Sequence, residues 1–246
     1  MLNQVLEIDA ARIDDLRFSF FDAIGAHLGV LVQGVLSPAQ CQLWASSVTN
    51  AHEDWIPNFG GVQFTLGRAW YTHLEEDLGE LYFERAAASD ALVERTLPGM
   101  QQAMRDFGQR LLRFAVQPRP LWCGPGVHVF PAGGLVAKRG GEVHFDTEGL
   151  QNEHLGERRP AFTCVAMLQR PPEGGALRVW DRLFDGDLFP KPDASTAVAE
   201  LRYEVGSVAI IDSYRMHQIA PFTGESDRIS ITMHVVLEAD GWHAWF

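Results

Sequence analysis

The stretch Gly140-Gly141-Glu142-Val143-His144-Phe145-Asp146-Thr147-Glu148-Gly149 organises the chain. Its centre is His144-x-Asp146. In an extended strand, residues i and i+2 share a face, so one imidazole and one carboxylate can reach the same metal ion. A second His would complete a two-His, one-carboxylate set, the donor set that leaves positions open on non-haem Fe(II). The spacing alone is cheap, because His52/Asp54 and His73/Glu75 show it too. The first of these closes a helix opened by Ser37-Pro38, where residues two apart diverge by about 200°. The second lies near another helical patch. Only His144 and Asp146 fall in a segment that reads as strand.

The further parts must come from distant strands. His217 ends the apolar run Ile210-Ile211-Asp212-Ser213-Tyr214-Arg215-Met216-His217, and Arg228-Ile229-Ser230 follows after the turn Thr223-Gly224-Glu225-Ser226. Arg228 and Ser230 also share a strand face. A guanidinium fork beside a hydroxyl is a good carboxylate receptor. A rival set, His52/Asp54 with His128 and Arg139, has the same His-to-Arg gap. There, however, the first pair is helical, and Arg139 runs into two glycines rather than a strand with a hydroxyl. Strand context separates the two sets.

The 246 residues, 46% hydrophobic, are enough for one large domain with a substantial core. Net charge is −12 with no basic stripe, which argues against a nucleic-acid partner. Cys41, Cys123 and Cys164 are scattered and form neither a disulfide frame nor a zinc knuckle. No apolar run approaches the roughly 20 residues of a membrane span, and the start has no basic leader. A cytoplasmic protein with no membrane partner is the expectation.

Along the chain, residues 10–28 read as a helix with Ile13, Leu16, Phe20 and Ile24 on one stripe. Residues 29–36 read as a strand, and Ser37-Pro38 as an N-cap and N1 pair opening a helix over 38–53. Residues 56–68, rich in Gly and Pro, read as irregular or as a hairpin, and 74–95 as helical. The clearest helix covers 98–116, with Met100, Ala103, Met104, Phe107, Leu111 and Phe114 on one stripe and Pro118 as its stop. From about 118 the character changes to short strands: 127–130, 135–137, 142–145, 162–168, 176–180, 203–214 (broken at Gly206) and 229–237. That spacing predicts a mainly β jelly roll (118–246) with a mostly helical buttress (1–117), forming a single domain over 1–246. Loops 147–160 and 181–200 are candidate lids.

His-x-Asp, a distal His and then Arg-x-Ser resemble the Fe(II)/2-oxoglutarate-dependent dioxygenase superfamily. The layout is similar to bacterial small-molecule hydroxylases of the N-substituted amino acid type and to the related aliphatic halogenases. The likeness extends to Gly29-Val-Leu-Val-Gln-Gly-Val-Leu-Ser-Pro38 and Pro171-Pro-Glu-Gly-Gly-Ala-Leu177. It implies a double-stranded β-helix, a cupin-like jelly roll. It also implies Fe(II) on His144, Asp146 and His217, and 2-oxoglutarate paired with Arg228 and Ser230. The reaction implied consumes O2, releases succinate and CO2, and hydroxylates an unactivated C–H of a small molecule. Halogenases of this kind replace the carboxylate by a small residue, so Asp146 favours hydroxylation.

His128, Phe145, Arg158 and Trp180 are candidate substrate contacts, each with a plain alternative as a core or solvated residue. The aromatic end, Trp242, Trp245 and Phe246, packs on the barrel or makes a homodimer contact. Desaturation, epoxidation and cyclisation share the same cofactors. A cupin-like metal-dependent isomerase or a non-catalytic binding module is the rival of another class, and neither needs an Arg-x-Ser receptor.

Overall fold

The computed structural model describes residues 3–15 and 17–246. The chain opens with β1 (Asn3–Asp9), a 3-10 turn (Ala10–Asp14), α1 (Phe20–Ala26), β2 (His27–Gln33) and α2 (Pro38–Asn50). A second 3-10 turn (His52–Asp54) leads to β3 (Ile56–Asn58), β4 (Gln63–Leu66), α3 (Trp70–Glu75), α4 (Gly79–Thr96) and α5 (Met100–Leu112). Then come β5 (Val116–Pro118), β6 (Gly126–Phe130), α6 (Leu135–Arg139), α7 (Asn152–Glu157), β7 (Ala161–Gln169), β8 (Glu173–Gly174) and β9 (Leu177–Leu183). The chain ends with β10 (Val198–Leu201), β11 (Val208–Asp212), β12 (Arg215–Ile219), β13 (Phe222–Thr223), β14 (Arg228–Glu238) and β15 (Gly241–Trp245).

A ten-stranded sheet runs β1-β2-β11-β7-β14-β6-β4-β3, with β15 on β14 and β5 on β15. A smaller sheet, β10-β9-β12, faces it, and β8 pairs with β13. Strand alternation sorts the large sheet into two faces. Ile229, Ile231, Met233 and Val235 of β14 join Cys164 and Ala166 of β7 in a core with the helices, including Met104, Phe107 and Leu111 of α5. Val165 and Met167 of β7 turn the other way and pack with Leu177, Val179 and Leu201 of the smaller sheet. The inner face of β14 is the set left over by alternation: Arg228, Ser230, Thr232 and His234. No helix among the described residues is long and apolar enough to cross a membrane. Cys41, Cys123 and Cys164 are buried and free.

Several expectations are corrected. Residues 10–28 do not form one helix. Ser19 caps α1 separately, accepting from Asp22 N, and the parallel ladder with β1 draws residues 27–33 into β2; Leu16 lies outside the described residues. The first 117 residues are more than helical support, since β1 to β4 extend the large sheet. Residues 56–68 hold the β3–β4 hairpin. α5 stops at Leu112 because Arg113 adopts a left-handed conformation, which leaves Phe114 exposed. Residues 135–137 are helix, not strand: α6 is boxed by Gly134 and Gly140 (φ 84°), and Val136 and Ala137 pack on Phe130 and Phe222. A short apolar run of this kind does not distinguish helix from strand. Residues 142–145 form no full strand but a single bridge, His144 to His217. Of 203–214, only 208–212 is strand, because Gly206 turns with φ 83° against Leu36 O. Trp242, Trp245 and Phe246 are buried in this fold.

If α5 is the main clamp on the large sheet, Phe107→Ala removes a ring that is 2% exposed. A loss of about 3–5 kcal/mol of stability is expected in denaturant unfolding.

Candidate active site

Extended backbone at His144 and Asp146 is enough to place both side chains on one face. Hydrogen bonds His144 N to His217 O (3.0 Å) and His217 N to His144 O (2.9 Å) then bring the second imidazole alongside. Asp146 N donates to Ser213 O at 2.9 Å, and Gly141 N to Ile219 O at 2.9 Å, so the segment is pinned at both ends. His144 Nε2 lies 3.5 Å from Asp146 Oδ1, and His217 Nε2 lies 3.3 Å from Asp146 Oδ2. One ligand atom from each of the three residues lies within 4.8 Å of the others. His217 is buried, while His144 keeps 41% of its side chain exposed.

The tautomers suit a metal. His144 Nδ1 donates to Glu142 O (2.8 Å) and His217 Nδ1 donates to Arg215 O (2.9 Å). Each ring therefore points its Nε2 at the common centre, where a metal would displace any proton held there. Thr163 Oγ1 donates to Asp146 Oδ2 at 2.6 Å and fixes the carboxylate. Because that proton is spent, the 3.0 Å contact between Thr163 Oγ1 and His234 Nδ1 is donated by the imidazole. Burial opposes ionisation of Asp146, yet the two imidazoles hold it well below the usual carboxylate range. Burial likewise opposes charge on His144, but Asp146 raises it to about 9. The three groups fit a divalent metal, which would replace the imidazole proton as the carboxylate's counter-charge.

Arg228 sits on the inner face of β14 and is 1% exposed. Its Nε donates to Gly175 O (3.2 Å) and its Nη1 to Ser230 Oγ (2.9 Å). The guanidinium lies over the rings of Phe130 (5.5 Å) and Tyr203 (5.3 Å). It has no salt bridge with a carboxylate among the described residues. The Tyr203 hydroxyl, though buried, makes no hydrogen bond. A buried cation beside an orphaned hydroxyl is costly unless an anion joins them.

The four residues expected at the substrate divide. His128 lies on the inner face of β6, paired in register with Ser230. Its Nε2 meets the Tyr71 hydroxyl (3.1 Å) and its Nδ1 meets Thr232 Oγ1 (3.0 Å), so both nitrogens are engaged. Burial pulls its pKa down to about 3, leaving it neutral. Phe145 and Trp180 are not brought to the metal trio. Each is the neighbour, on the opposite face, of an inward residue, and they pack together with Met216. Arg158 is also elsewhere: it caps α7, donates to Phe184 O and lies over Tyr214.

A recess beside Asp146 is lined by Trp70, Tyr71, Glu148, Gly149, His234, Trp245 and Phe246. Gln63 Nε2 donates to the Tyr71 hydroxyl. Burial, reinforced by Asp146, pushes the Glu148 carboxyl up to about 7. Thr232 and His234 were legible, since they continue the i+2 series from Arg228 and Ser230. Thr163, Tyr71 and Tyr203 carry no such signal.

No family model matches the sequence, and no curated protein matches it. Solved structures do. The chain is similar to an N-substituted L-amino acid dioxygenase from Burkholderia ambifaria AMMD, with TM-score 0.57 and 12% identity, covering 96% of this chain and 91% of that one. The same dioxygenase in complex with alpha-KG matches with TM-score 0.57 and 13% identity, again over 96% of this chain and 91% of that one. A second likeness is to the epimerase SnoN in complex with Fe3+, alpha ketoglutarate and nogalamycin RO. There the TM-score is 0.54 and the identity 13%, over 85% of this chain and 81% of that one. At these identities the likeness is one of fold. The fold is the jelly roll that these structures share, as the sequence resemblance implied.

Thr163 holds the carboxylate of Asp146, a candidate metal ligand. Thr163→Val should weaken Mn(II) binding by about ten- to a hundredfold, read by titration of the metal-free protein. Unchanged affinity would show that the hydroxyl does not orient Asp146.

Proposed function

We propose that the whole chain is one catalytic unit, a non-haem Fe(II)/2-oxoglutarate-dependent dioxygenase that hydroxylates an unactivated C–H of a small molecule. The observation that carries this reading is the conjunction of two built sites: a His144/Asp146/His217 trio with both Nε2 atoms turned to one centre, and a buried Arg228 with no carboxylate partner among the described residues. The first suits Fe(II). The second suits the distal carboxylate of 2-oxoglutarate, received by Arg228, Ser230 and the unpartnered Tyr203 hydroxyl. The fold neighbours with bound alpha ketoglutarate support the same assignment.

When bound, Fe(II) and 2-oxoglutarate supply an oxidant drawn from O2, with release of succinate and CO2. The protein's part is placement. Glu142 O and Arg215 O hold the imidazoles in the metal-binding tautomer, and Thr163 holds Asp146. Arg228 and Ser230 hold the cosubstrate at its far end. Trp70, Trp245 and Phe246 wall the space beside Asp146 and narrow it to about the room of one water. The likeness to an epimerase favours a second outcome from the same cofactors, inversion at a substrate carbon rather than hydroxylation.

Succinate release in the presence of Fe(II), ascorbate and 2-oxoglutarate is the direct assay. It should be abolished in His144→Ala and Asp146→Gly; full activity in either would remove that residue from the metal site. Arg228→Gln should weaken 2-oxoglutarate binding by about 2 kcal/mol or more, roughly thirtyfold, as expected when one partner of a buried charge pair is lost. Tyr203→Phe has a two-sided expectation. It should stabilise the cosubstrate-free protein by about 1 kcal/mol, since it removes an unsatisfied buried hydroxyl, and reduce the rise in Tm produced by 2-oxoglutarate.

A further inference from the structure

The recess beside Asp146 has features that the binding of metal and cosubstrate does not use. It is narrow, with about 10 Å3 open to water, room for a head group of about one water. Side chains of Trp70, Trp245 and Phe246 form its walls. Two hydrogen-bond acceptors face it without partners among the described residues. One is the Glu148 carboxylate, which has neither a side-chain hydrogen bond nor a salt bridge. The other is His234 Nε2: Nδ1 of that ring carries the proton given to Thr163, so Nε2 holds a lone pair.

The segment that presents Glu148 is fixed. Trp70 Nε1 donates to Glu148 O at 2.8 Å, and Arg119 Nη1 donates to Gly149 O at 2.6 Å. Arg119 is held in turn by Glu238 at 3.1 Å, and Glu238 also takes His154 at 2.8 Å. A side chain at 149 would meet the Trp245 indole at 2.3 Å, so only glycine lets the segment lie this close to the wall. Glu148 is thus held by a rigid loop beside aromatic side chains. Glu75 and Glu148 both lie close enough for their charge to act on the His144 imidazole.

We infer that the substrate carries a primary ammonium group, bound in this recess by Glu148 and His234 Nε2 between the Trp70 and Trp245 rings. An –NH3+ group is about the size of a water and has three donors. Carboxylate and imidazole acceptors take two of them. An anionic head would meet Glu148 and Asp146, and a trimethylammonium head is too wide for the space. The inference deepens the oxygenase reading by naming the substrate class, and it rests on that reading for the reaction alone; the amine site can be tested without turnover.

The test uses n-butylammonium and its near-isostere butan-1-ol as probes of the full-length protein carrying Mn(II) and 2-oxoglutarate. Bound beside Asp146, n-butylammonium should show saturable paramagnetic broadening of its proton resonances, and butan-1-ol should show little. Glu148→Gln, an isosteric change, should weaken n-butylammonium binding by about tenfold or more, and Glu148→Asp should retain part of it. Equal broadening by the two probes, or n-butylammonium binding unchanged in Glu148→Gln, overturns the inference. Failure of Mn(II) to bind overturns the oxygenase reading instead. In that case calorimetric titration of the same probes into wild type and Glu148→Gln decides the amine site by the same criteria.

Discussion

One reciprocal backbone pair holds the site together. His144 and His217 exchange N–H···O bonds of 3.0 and 2.9 Å, although residue 144 belongs to no regular strand. A non-strand segment is thereby locked against β12, and two imidazoles 73 positions apart in the chain (217 − 144) come to 4.2 Å between ring centroids. Without this bridge Asp146 would keep its Ser213 contact, but His144 would be free to leave. Extended geometry, rather than full strand pairing, is what the His-x-Asp arrangement requires.

The second constraint is the division of the large sheet into two faces. β14 is the spine of this arrangement, pairing with β6, β7 and β15. Its odd-numbered residues Ile229 to Val235 are committed to the helices, so its even-numbered residues have nowhere to go but inward. They are Arg, Ser, Thr and His. Burying such a series is tolerable only because each group is provided for. Ser230 takes Arg228, Thr232 takes His128, and His234 gives its proton to Thr163, which holds Asp146. A chain of hydrogen bonds therefore runs from β14 through β7 to the metal trio, and the helix face stays dry. Two groups are left over, the guanidinium and the Tyr203 hydroxyl, and they adjoin.

Legibility in the sequence followed the range of the interactions. His144/Asp146 and Arg228/Ser230 could be found because each pair is two residues apart, and local extension alone puts such a pair on one face; His217 was found by its place at the end of an apolar strand. The α5 stripe was legible for the same reason, from helical spacing. The helix over 135–139 was misread because the three-residue apolar run Leu135-Val136-Ala137 carries no period, and its glycine boundaries were given too little weight. Phe145 and Trp180 were read as pocket walls or core residues, with core favoured. Adjacence on a strand means the opposite face, and both are core.

By itself the sequence determined which residue types lie on each local face: His144 with Asp146, Arg228 with Ser230, Thr232 and His234, and Phe107 with Met104 and Leu111. Those relations depend only on the backbone repeat of a few residues. Tertiary structure alone decided that Thr163 meets Asp146, that Tyr203 lies beside Arg228, and that Tyr71 meets His128. It also decided that Glu148 looks into an aromatic recess formed with Trp70 and Trp245. These contacts join residues from distant parts of the chain. Their register comes from which strands pair and where loops are pinned, and a shift of one residue in that pairing would turn every one of these side chains to the other face.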